Sequence, residues 1–264
     1  MIPIHVMPDT PTQAFLDVLQ QQGFVGEIDT SAAQRAVYAT DNSIYERPPQ
    51  AIVCPKHVAD LQVLTRLLAE ERFRGVVVTA RGGGTGTNGQ SLTEGIVVDV
   101  SRHMNHILSI DVAKRQVRVQ AGVVKDQLNR ALKPHGLFFA PELSTSNRAT
   151  IGGMVNTDAS GQGSCTYGKT RDHVLALKTV LWGGEVLESQ ALSEQTWRED
   201  ITALSASMQQ RFHALYELVN EHQDAIQAAF PKLNRCLTGY DLPHVLEQGQ
   251  FNLNSVLCGA EGSL

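Results

Sequence analysis

The spacing of apolar residues predicts alternating strands and helices in the first hundred residues. Apolar positions within residues 12–22 follow a helical period, and Gly23 ends that pattern. The apolar run at residues 51–55 predicts a strand, residues 56–73 have the spacing of a helix, and residues 75–80 predict a further strand. This order predicts a β-α-β unit with a parallel pair of strands.

The pattern then changes to short strands at close spacing. Three such strands are predicted, at residues 95–101, 106–112 and 116–123. Residues 125–136 predict a helix that ends at a glycine, and residues 174–189 predict a hairpin that turns at Gly183–Gly184. Residues 193–230 contain neither Gly nor Pro and predict one or two surface helices.

Together these elements predict an α+β fold in two lobes. Residues 1–46 form an N-terminal helical segment in this interpretation. Residues 47–113 form a small, mainly parallel β-α-β lobe, and residues 114–264 form a larger lobe whose antiparallel sheet is flanked by helices.

Composition narrows the possible functions. The chain has 264 residues, is 42% hydrophobic, carries a net charge of −5 and has no long Lys/Arg run, so nucleic acid is not an expected partner. No apolar run is long enough for a transmembrane segment, and no signal peptide is apparent. We expect a cytoplasmic protein, and peripheral attachment to the inner membrane is compatible with this sequence.

The spacing of cysteine and histidine residues does not predict a metal site. The four cysteines form no C-x-x-C pair, which argues against a disulfide framework or a zinc site. His103 and His106 lie close together but lack a third candidate ligand nearby. We therefore assign no metal.

The stretch GSCTYGKT, Gly163 to Thr170, matches the P-loop pattern G-x-x-x-x-G-K-S/T. A working P-loop needs a buried strand before it and a helix that begins at its Lys-Thr pair, because the helix N-terminus faces the phosphates. The flanking sequence predicts neither element. We expect an accidental match, and a P-loop nucleotide triphosphatase using Gly163–Thr170 is kept as the alternative function.

A second stretch, ARGGGTGTNGQ, contains G-x-G-x-x-G at Gly84, Gly86 and Gly89. The next strand follows so closely that no Rossmann crossover helix fits. Glycines still allow backbone N–H groups to point at an anion without obstruction by side chains. We predict that residues 82–89 hold a pyrophosphate, with hydroxyl and amide donors from Thr85, Thr87 and Asn88. The alternative is a flexible surface turn.

Residues 140–170 are dense in Gly, Ser, Thr and Asn, so we expect them to lie outside the core. A loop of this length inside a compact domain is unusual unless it binds something. Two donor-rich stretches on two lobes predict a long ligand, with a diphosphate against one stretch and an aromatic ring system against the other.

Five motifs carry a family resemblance: RGGGTGTNGQ, APELSTSNRATIGGMVNTDASG, YGKT, TGYDL and CGAEGSL. From about Thr40 onwards the chain resembles the FAD-binding domain of the vanillyl-alcohol oxidase / p-cresol methylhydroxylase superfamily of FAD-linked oxidases. Within it, the motifs are similar to the D-lactate, glycolate and D-2-hydroxyglutarate dehydrogenase branch, near large bacterial members that contain iron–sulfur clusters. The resemblance implies a two-lobed PCMH-type fold with FAD between the lobes, and any iron–sulfur cluster in downstream sequence.

The resemblance also implies which residues contact FAD. These are Arg81, Gly82, Gly83, Gly84, Thr85, Gly86, Thr87, Gly89, Pro141, Glu142, Leu143, Ser144, Thr145, Thr150, Ile151, Gly152, Gly153, Asn156, Thr157, Ala159, Gly161, Tyr167, Gly168 and Glu261. Some relatives attach FAD through a histidine of the glycine loop, and this loop has none, which implies non-covalent FAD. Lys169 is then a structural or phosphate-adjacent cation, or simply a solvated lysine.

The implied activity is dehydrogenation of a D-2-hydroxy acid of the D-lactate or D-2-hydroxyglutarate type, with hydride transfer to flavin N5. In the family a cap domain follows the G-x-E-G-x-L motif and carries the base and the substrate-binding groups. The sequence stops at Leu264 inside this motif, so we expect a fragment truncated before the cap, without catalytic residues and inactive alone. A non-catalytic flavin-fold binding module is the other alternative. The hydroxy acid and the electron acceptor stay open.

Overall fold

The computed structural model describes residues 8–233 and 239–262. Its contacts divide the chain into two compact units. The first comprises the described residues up to Met154 together with Val180–Val186, and the second comprises Val155–Thr179 and the described residues from Leu187 onwards. The cofactor-binding lobes predicted at 47–113 and 114–264 are a different division, and they stay a prediction.

The first unit contains a four-stranded sheet in the order β1-β2-β4-β3. Its strands are β1 (Glu27–Asp29), β2 (Ala51–Cys54), β3 (Val78–Arg81) and β4 (Ile96–Asp99). β1 is antiparallel to β2, whereas β2 and β3 are both parallel to β4.

The predicted β-α-β unit is therefore present, but its two strands are not paired with each other. β4 lies between them, and every residue of both β2 and β4 is buried. The residues of β3 are only partly buried or exposed. A continuous apolar strand is most stable in the centre of a parallel sheet, where both of its faces are covered, so β4 takes the position expected for the partner strand.

Four helices belong to the first unit up to residue 132. They are α1 (Thr10–Gln21), α2 (Ala32–Tyr38), α3 (Val58–Leu68) and α4 (Lys125–Leu132). The side chain of Asp9 caps α1 by accepting a hydrogen bond from the N–H of Thr12. The apolar faces of α1 and α3 bury Phe15 and Leu64 in one core with the sheet.

A smaller layer follows the sheet along the chain. β5 (Ile107–Asp111) and β6 (Gln116–Val119) form an antiparallel pair, as their close spacing predicts. Leu128 and Leu132 of α4 pack against this pair in a second apolar cluster. Gly136 ends the following turn in a left-handed conformation (φ +67°), which a residue with a side chain rarely adopts.

The second unit is built on the sheet β7-β8-β10-β9. Its strands are β7 (Ala176–Val180), β8 (Val186–Ser193), β9 (Leu246–Glu247) and β10 (Gln250–Asn252). β10 is antiparallel to both β8 and β9, and the predicted Gly183–Gly184 turn connects β7 to β8. The predicted antiparallel sheet is thus confirmed.

Helices occupy the segment that follows β8, as its composition predicts. They are α7 (Glu194–Asp200), α8 (Ala206–Glu221) and α9 (Gln223–Ala229), and α10 (Asn254–Leu257) lies near the end of the described residues. Trp197 of α7 is fully buried and packs against Phe251 of β10. Within residues 8–233 and 239–262, no helix is long and apolar enough to cross a membrane.

The expectation that residues 140–170 lie outside the core is wrong in part. Two short helices, α5 (Ile151–Asn156) and α6 (Ser164–Tyr167), form within this stretch. Thr150, Met154 and Thr170 are buried. Polar residues can be buried here because they find local partners: the Thr170 hydroxyl, for example, donates to the Ala159 carbonyl at 2.6 Å.

Candidate functional site

The glycine loop is the connection from β3 to β4 in the first unit. Both strands run parallel in neighbouring positions, with Arg81 and Asp99 as register partners at their carboxyl ends. Such a connection usually needs a crossover of about a dozen residues, most often a helix. Residues 82–95 make this crossover without a helix, which confirms that the loop is not a Rossmann turn. Ligands of parallel sheets commonly bind outside the carboxyl ends of the strands.

The glycine loop keeps a run of backbone donors available. Among the described residues, no backbone N–H from Gly82 to Thr87 has a hydrogen-bond acceptor in the chain. The run ends at Asn88, whose N–H donates to the Gln90 side chain at 3.0 Å. Six successive unbonded amides form a concentration of partial positive charge that suits an anion, and water or a ligand has to satisfy them.

Two of these glycines are required by the closeness of another segment. A Cβ atom at Gly82 would overlap the side chain of Thr150, and a Cβ atom at Gly83 would overlap the backbone carbonyl of Arg148. No other residue type fits without displacing these neighbours. The structure therefore brings the predicted pyrophosphate loop together with Thr150, a second predicted cofactor residue.

Arg81 adds a full positive charge beside the loop. Its guanidinium donates to the carbonyls of Thr40 (2.7 Å) and Tyr38 (3.3 Å), and no carboxylate within the described ranges forms a salt bridge with it. A Cβ atom built at Gly84 would lie 2.7 Å from Arg81 Nη2. Burial lowers the pKa of Arg81 from its usual value, and the neighbouring Asp41 opposes that shift. The guanidinium is thus a cation at the loop that is not directly paired with an anion from the described residues.

An open cavity of about 490 Å³ lies beside the beginning of the loop, entirely within the first unit. Six residues of its wall matter for the chemistry: Tyr38, Arg81, Gly82, Gly83, Asp99 and Thr150. The volume falls in the usual range for a small-molecule site. Backbone donors, a guanidinium and hydroxyl groups make this wall suitable for a phosphate-bearing ligand.

Tyr38 and Asp99 in this wall were not predicted as site residues. The Tyr38 hydroxyl donates to Asp99 Oδ2 at 2.5 Å. Burial, together with the bond to Asp99 and its charge, raises the pKa of Tyr38 well above its usual value, so the phenol is protonated. An acid that closes a buried strand, as Asp99 closes β4, was the only sequence signal for this pair.

The amides of Ile151, Gly152 and Gly153 are already bonded within the chain. The N–H groups of Ile151 and Gly152 donate to the carbonyls of Val123 and Ala121, each at 2.8 Å, and that of Gly153 donates to the Thr150 hydroxyl at 3.3 Å. These residues can shape a site but offer it no further backbone N–H. Their predicted contact with FAD stays a prediction, as it does for Pro141, Glu142, Leu143, Ser144 and Thr145.

The remaining predicted residues lie in the second unit. The carbonyl of Asn156 accepts a hydrogen bond from the N–H of Glu261 at 3.0 Å, so two of them are neighbours. The side chain of Tyr167 is exposed, and Gly168 is in the left-handed conformation at φ +74°. Contact with FAD stays a prediction for these four residues and for Thr157, Ala159 and Gly161.

The P-loop match at Gly163–Thr170 does not have P-loop geometry. α6 lies inside the match and ends at Tyr167, and no helix begins at Lys169. The next elements are a short 3-10 turn, Arg171–His173, and then β7. The expectation that the match is accidental agrees with this geometry.

Lys169 is a buried member of an ion pair, so the alternative of a solvated lysine is wrong. Its Nζ lies 3.0 Å from Asp158 Oδ2, and the two side chains are 9% and 1% exposed. Its backbone N–H donates to Asp172 Oδ2 at 2.7 Å. The cation of the motif is neutralised inside the fold.

Arg171, which follows the match directly, connects three of the resemblance motifs. Its guanidinium lies 2.6 Å from Asp158 and 2.9 Å from Asp241, and donates to the carbonyls of Gly239 and Cys258. Burial alone would lower the pKa of Arg171, but the charges of Asp158 and Asp241 outweigh burial and raise it. Sequence reasoning missed this network, because its members are far apart in the chain.

The comparisons with known proteins agree with these features. The FAD binding domain family matches residues 49–190. The chain is 61% identical to a D-2-hydroxyglutarate dehydrogenase of Pseudomonas putida over 98% of this chain and 26% of the relative. It is 52% identical to the Escherichia coli D-2-hydroxyglutarate dehydrogenase over 95% of this chain and 25% of the relative. The chain thus spans about a quarter of the length of these curated relatives.

A solved structure of alkyldihydroxyacetonephosphate synthase has a similar fold. It matches with a TM-score of 0.61 and 22% identity, over 69% of this chain and 39% of that one. At this identity the likeness concerns the fold alone, and it confirms the α+β class of PCMH-type FAD-binding folds. The family match covers more than half of the chain, and the glycine loop lies within it. The chain belongs to the FAD binding domain family, and FAD is its cofactor.

Proposed function

We propose that this chain is the FAD-binding domain of an enzyme that dehydrogenates D-2-hydroxyglutarate. The observation that carries the proposal is the run of unbonded amides from Gly82 to Thr87 beside the guanidinium of Arg81. The substrate assignment is supported by relatives named D-2-hydroxyglutarate dehydrogenase that are 61% and 52% identical.

In the proposed site the glycine loop binds the diphosphate of FAD. Backbone N–H groups and the Arg81 guanidinium offset the negative charge of the two phosphates, and bonds of this kind are stronger than those between neutral groups. The hydroxyls of Thr85 and Thr87, which belong to this loop, are further hydrogen-bond donors for the phosphates. Fixing the diphosphate in this way orients the rest of the cofactor.

When bound, FAD would supply the redox chemistry as the acceptor of a hydride from the substrate. The residues of this chain bind and orient the cofactor. We propose no catalytic residue in the described segments.

We also propose that FAD is held non-covalently. Residues 81–89 contain neither histidine nor cysteine, the side chains that could form a covalent bond to the flavin from this loop. Denaturing the purified protein with acid should then release all of the yellow colour into the supernatant. Flavin that stays with the precipitate would contradict this part of the proposal.

The intact protein tests the proposed activity directly. We expect it to bind FAD and to reduce an electron-accepting dye with D-2-hydroxyglutarate, but not with L-2-hydroxyglutarate. D-lactate serves as the second substrate comparison. FAD binding without oxidation of either D-hydroxy acid would instead favour a non-catalytic flavin-binding module. Magnesium-dependent binding of ATP without binding of FAD would favour the nucleotide triphosphatase alternative.

A further inference from the structure

We infer that Tyr38 and Asp99 are a positioning pair that keeps Arg81 beneath the glycine loop, and that the preference of the loop for a diphosphate depends on this pair. The inference deepens the proposed function and rests on it. Neither residue is assigned a role by the resemblance or by the contacts expected for the cofactor.

Asp99 is a fixed anchor at the carboxyl end of β4. The residue is 5% exposed, and Oδ1 accepts hydrogen bonds from both the N–H and the hydroxyl of Ser101, each at 2.7 Å. Oδ2 accepts the hydroxyl of Tyr38 at 2.5 Å. A buried carboxylate with three donors has a fixed orientation, and so does the phenol ring bonded to it.

Tyr38 in turn holds Arg81 in two ways. The guanidinium carbon of Arg81 lies 5.2 Å from the centroid of the Tyr38 ring, a favourable cation–π distance. The Tyr38 carbonyl accepts a hydrogen bond from Arg81. Tyr38 is the last residue of α2, so this carbonyl belongs to the negative end of the helix, where a cation is stabilised.

The segment that follows Tyr38 is also bonded to the loop. The Thr40 carbonyl accepts a hydrogen bond from Arg81 at 2.7 Å, the N–H of Asn42 donates to the Gly84 carbonyl at 3.1 Å, and the Ser91 hydroxyl donates to Asp41 at 2.9 Å. The position of Tyr38 therefore determines where Arg81 and Gly84 lie relative to each other.

The pair also keeps Arg81 available for a phosphate. Arg81 and Asp99 are register partners on β3 and β4, yet they form no salt bridge within the described part of the chain, because Tyr38 and Ser101 take the carboxylate. Without the phenol hydroxyl, Asp99 would lack a donor at Oδ2, and the neighbouring guanidinium could supply one. Arg81 would then turn away from the loop and form a salt bridge with Asp99, so its charge would no longer be available to a phosphate.

The test measures binding by the intact protein. Tyr38→Phe should raise the Kd for FAD about tenfold, because Arg81 would no longer donate a charge-assisted hydrogen bond to a phosphate. Competition with FAD gives the Kd for ADP, which has a diphosphate, and for AMP, which does not. If Arg81 acts on the diphosphate, the preference for ADP over AMP should fall by a similar factor in Tyr38→Phe. Tyr216→Phe removes a phenol hydroxyl in the second unit and should change neither quantity.

A rescue variant separates positioning from general damage. In Tyr38→Phe with Asp99→Asn, no unpaired carboxylate competes for Arg81, so most of the FAD affinity and the ADP preference should return. Equal losses of ADP and AMP binding without rescue would indicate a merely structural role and overturn the inference. If Tyr38→Phe binds FAD as tightly as the wild type, the inference is also overturned, but the proposed function is not affected. A wild-type protein that binds neither FAD nor ADP would overturn both.

Discussion

Two glycine-rich stretches of this chain match nucleotide-binding patterns, and they use their backbone donors in opposite ways. From Gly82 to Thr87 no N–H is bonded within the described residues. In Gly163–Thr170 the amides of Thr166 and Tyr167 donate to Gly163, that of Gly168 donates to Ser164, and that of Thr170 donates to Ala159. The first stretch leaves its donors unbonded, while the second uses them to hold its own conformation.

The cations of the two stretches differ in the same way. Arg81 donates to two neutral carbonyls and has no salt bridge in the part of the chain that the structure describes. Lys169 lies 3.0 Å from the buried Asp158. We therefore expect a motif match to form an anion site only where backbone donors and positive charge are left unpaired after folding. Substitutions in the two stretches should therefore have different effects on stability and on FAD binding.

The largest effect should come from the charge network of the second stretch. Asp158→Asn keeps a residue that tolerates the left-handed backbone at φ +45°, but removes the charge that pairs with Lys169 and Arg171. Breaking a buried ion pair on one side leaves uncompensated charge and costs about 3–5 kcal/mol. Urea unfolding should show this loss of stability.

An exposed ion pair is the control for Asp158→Asn. Glu71 pairs with Arg74 at 3.4 Å, and both side chains are largely in solvent. Glu71→Gln should leave the unfolding curve unchanged, because exposed pairs contribute little. If Asp158→Asn unfolds like the wild type, the ion pairs of Asp158 with Lys169 and Arg171 do not stabilise the second unit. The cations of the two stretches would then not differ in the way described above.

The next effect concerns the glycine loop itself. In Gly82→Ala the new methyl group would overlap Thr150, so the loop has to shift and its amides lose their alignment. Overpacking of this kind costs about 1–3 kcal/mol, and we expect the Kd for FAD to rise up to about a hundredfold. Flavin fluorescence titration measures it.

Gly163→Ala is the matched control in the other stretch. Gly163 has φ −80° and ψ 1°, which alanine also adopts, and its position should be irrelevant to the diphosphate. FAD affinity should therefore stay within about twofold of the wild type. An equal loss of affinity in both variants would show that the two stretches cannot be distinguished by their free amides.

The sequence predicted the elements of the fold better than their arrangement. Continuous apolar runs located β2 and β4, and helical spacing of apolar residues located α3, because both signals depend only on the local sequence. They did not predict that β4 lies between β2 and β3, since strand order depends on contacts between distant residues. The three-residue strand β1 was missed because so short a run has no recognisable period.

The candidate site was predictable where its chemistry lies in the backbone of a continuous segment. Glycine density pointed to residues 82–89, and the amides of residues 82–87 are unbonded within the described residues, although binding of a pyrophosphate there stays a prediction. Tyr38 and Asp99 are 61 residues apart, and Arg171 and Asp241 are 70 apart, so no local pattern indicates that they meet. The composition of residues 140–170 likewise gave no sign that Thr150 and Thr170 would be buried.

A smaller effect is expected from removing the cation beside the glycine loop. Arg81→Met keeps much of the side-chain volume but loses the charge and its bonds to Tyr38 and Thr40. The Kd for FAD should rise about tenfold, and its dependence on salt should weaken because one charge no longer acts on the phosphates. Arg74→Met, at an exposed position, should behave like the wild type. An unchanged salt dependence in Arg81→Met would contradict a role for this cation in phosphate binding.

The smallest effect on ligand binding should come from the lysine of the P-loop match. Lys169 already pairs with Asp158, so Lys169→Met removes no charge that a nucleotide could use. FAD affinity should stay within about twofold of the wild type, while the unfolding free energy falls by about 1.5–3 kcal/mol, the value of a charged hydrogen bond. Titration with ATP and magnesium, before and after the substitution, should give no binding. If the wild type binds ATP and Lys169→Met does not, the ion pair between Lys169 and Asp158 opens for a phosphate. A P-loop match could then bind a nucleotide even though its lysine is paired inside the fold.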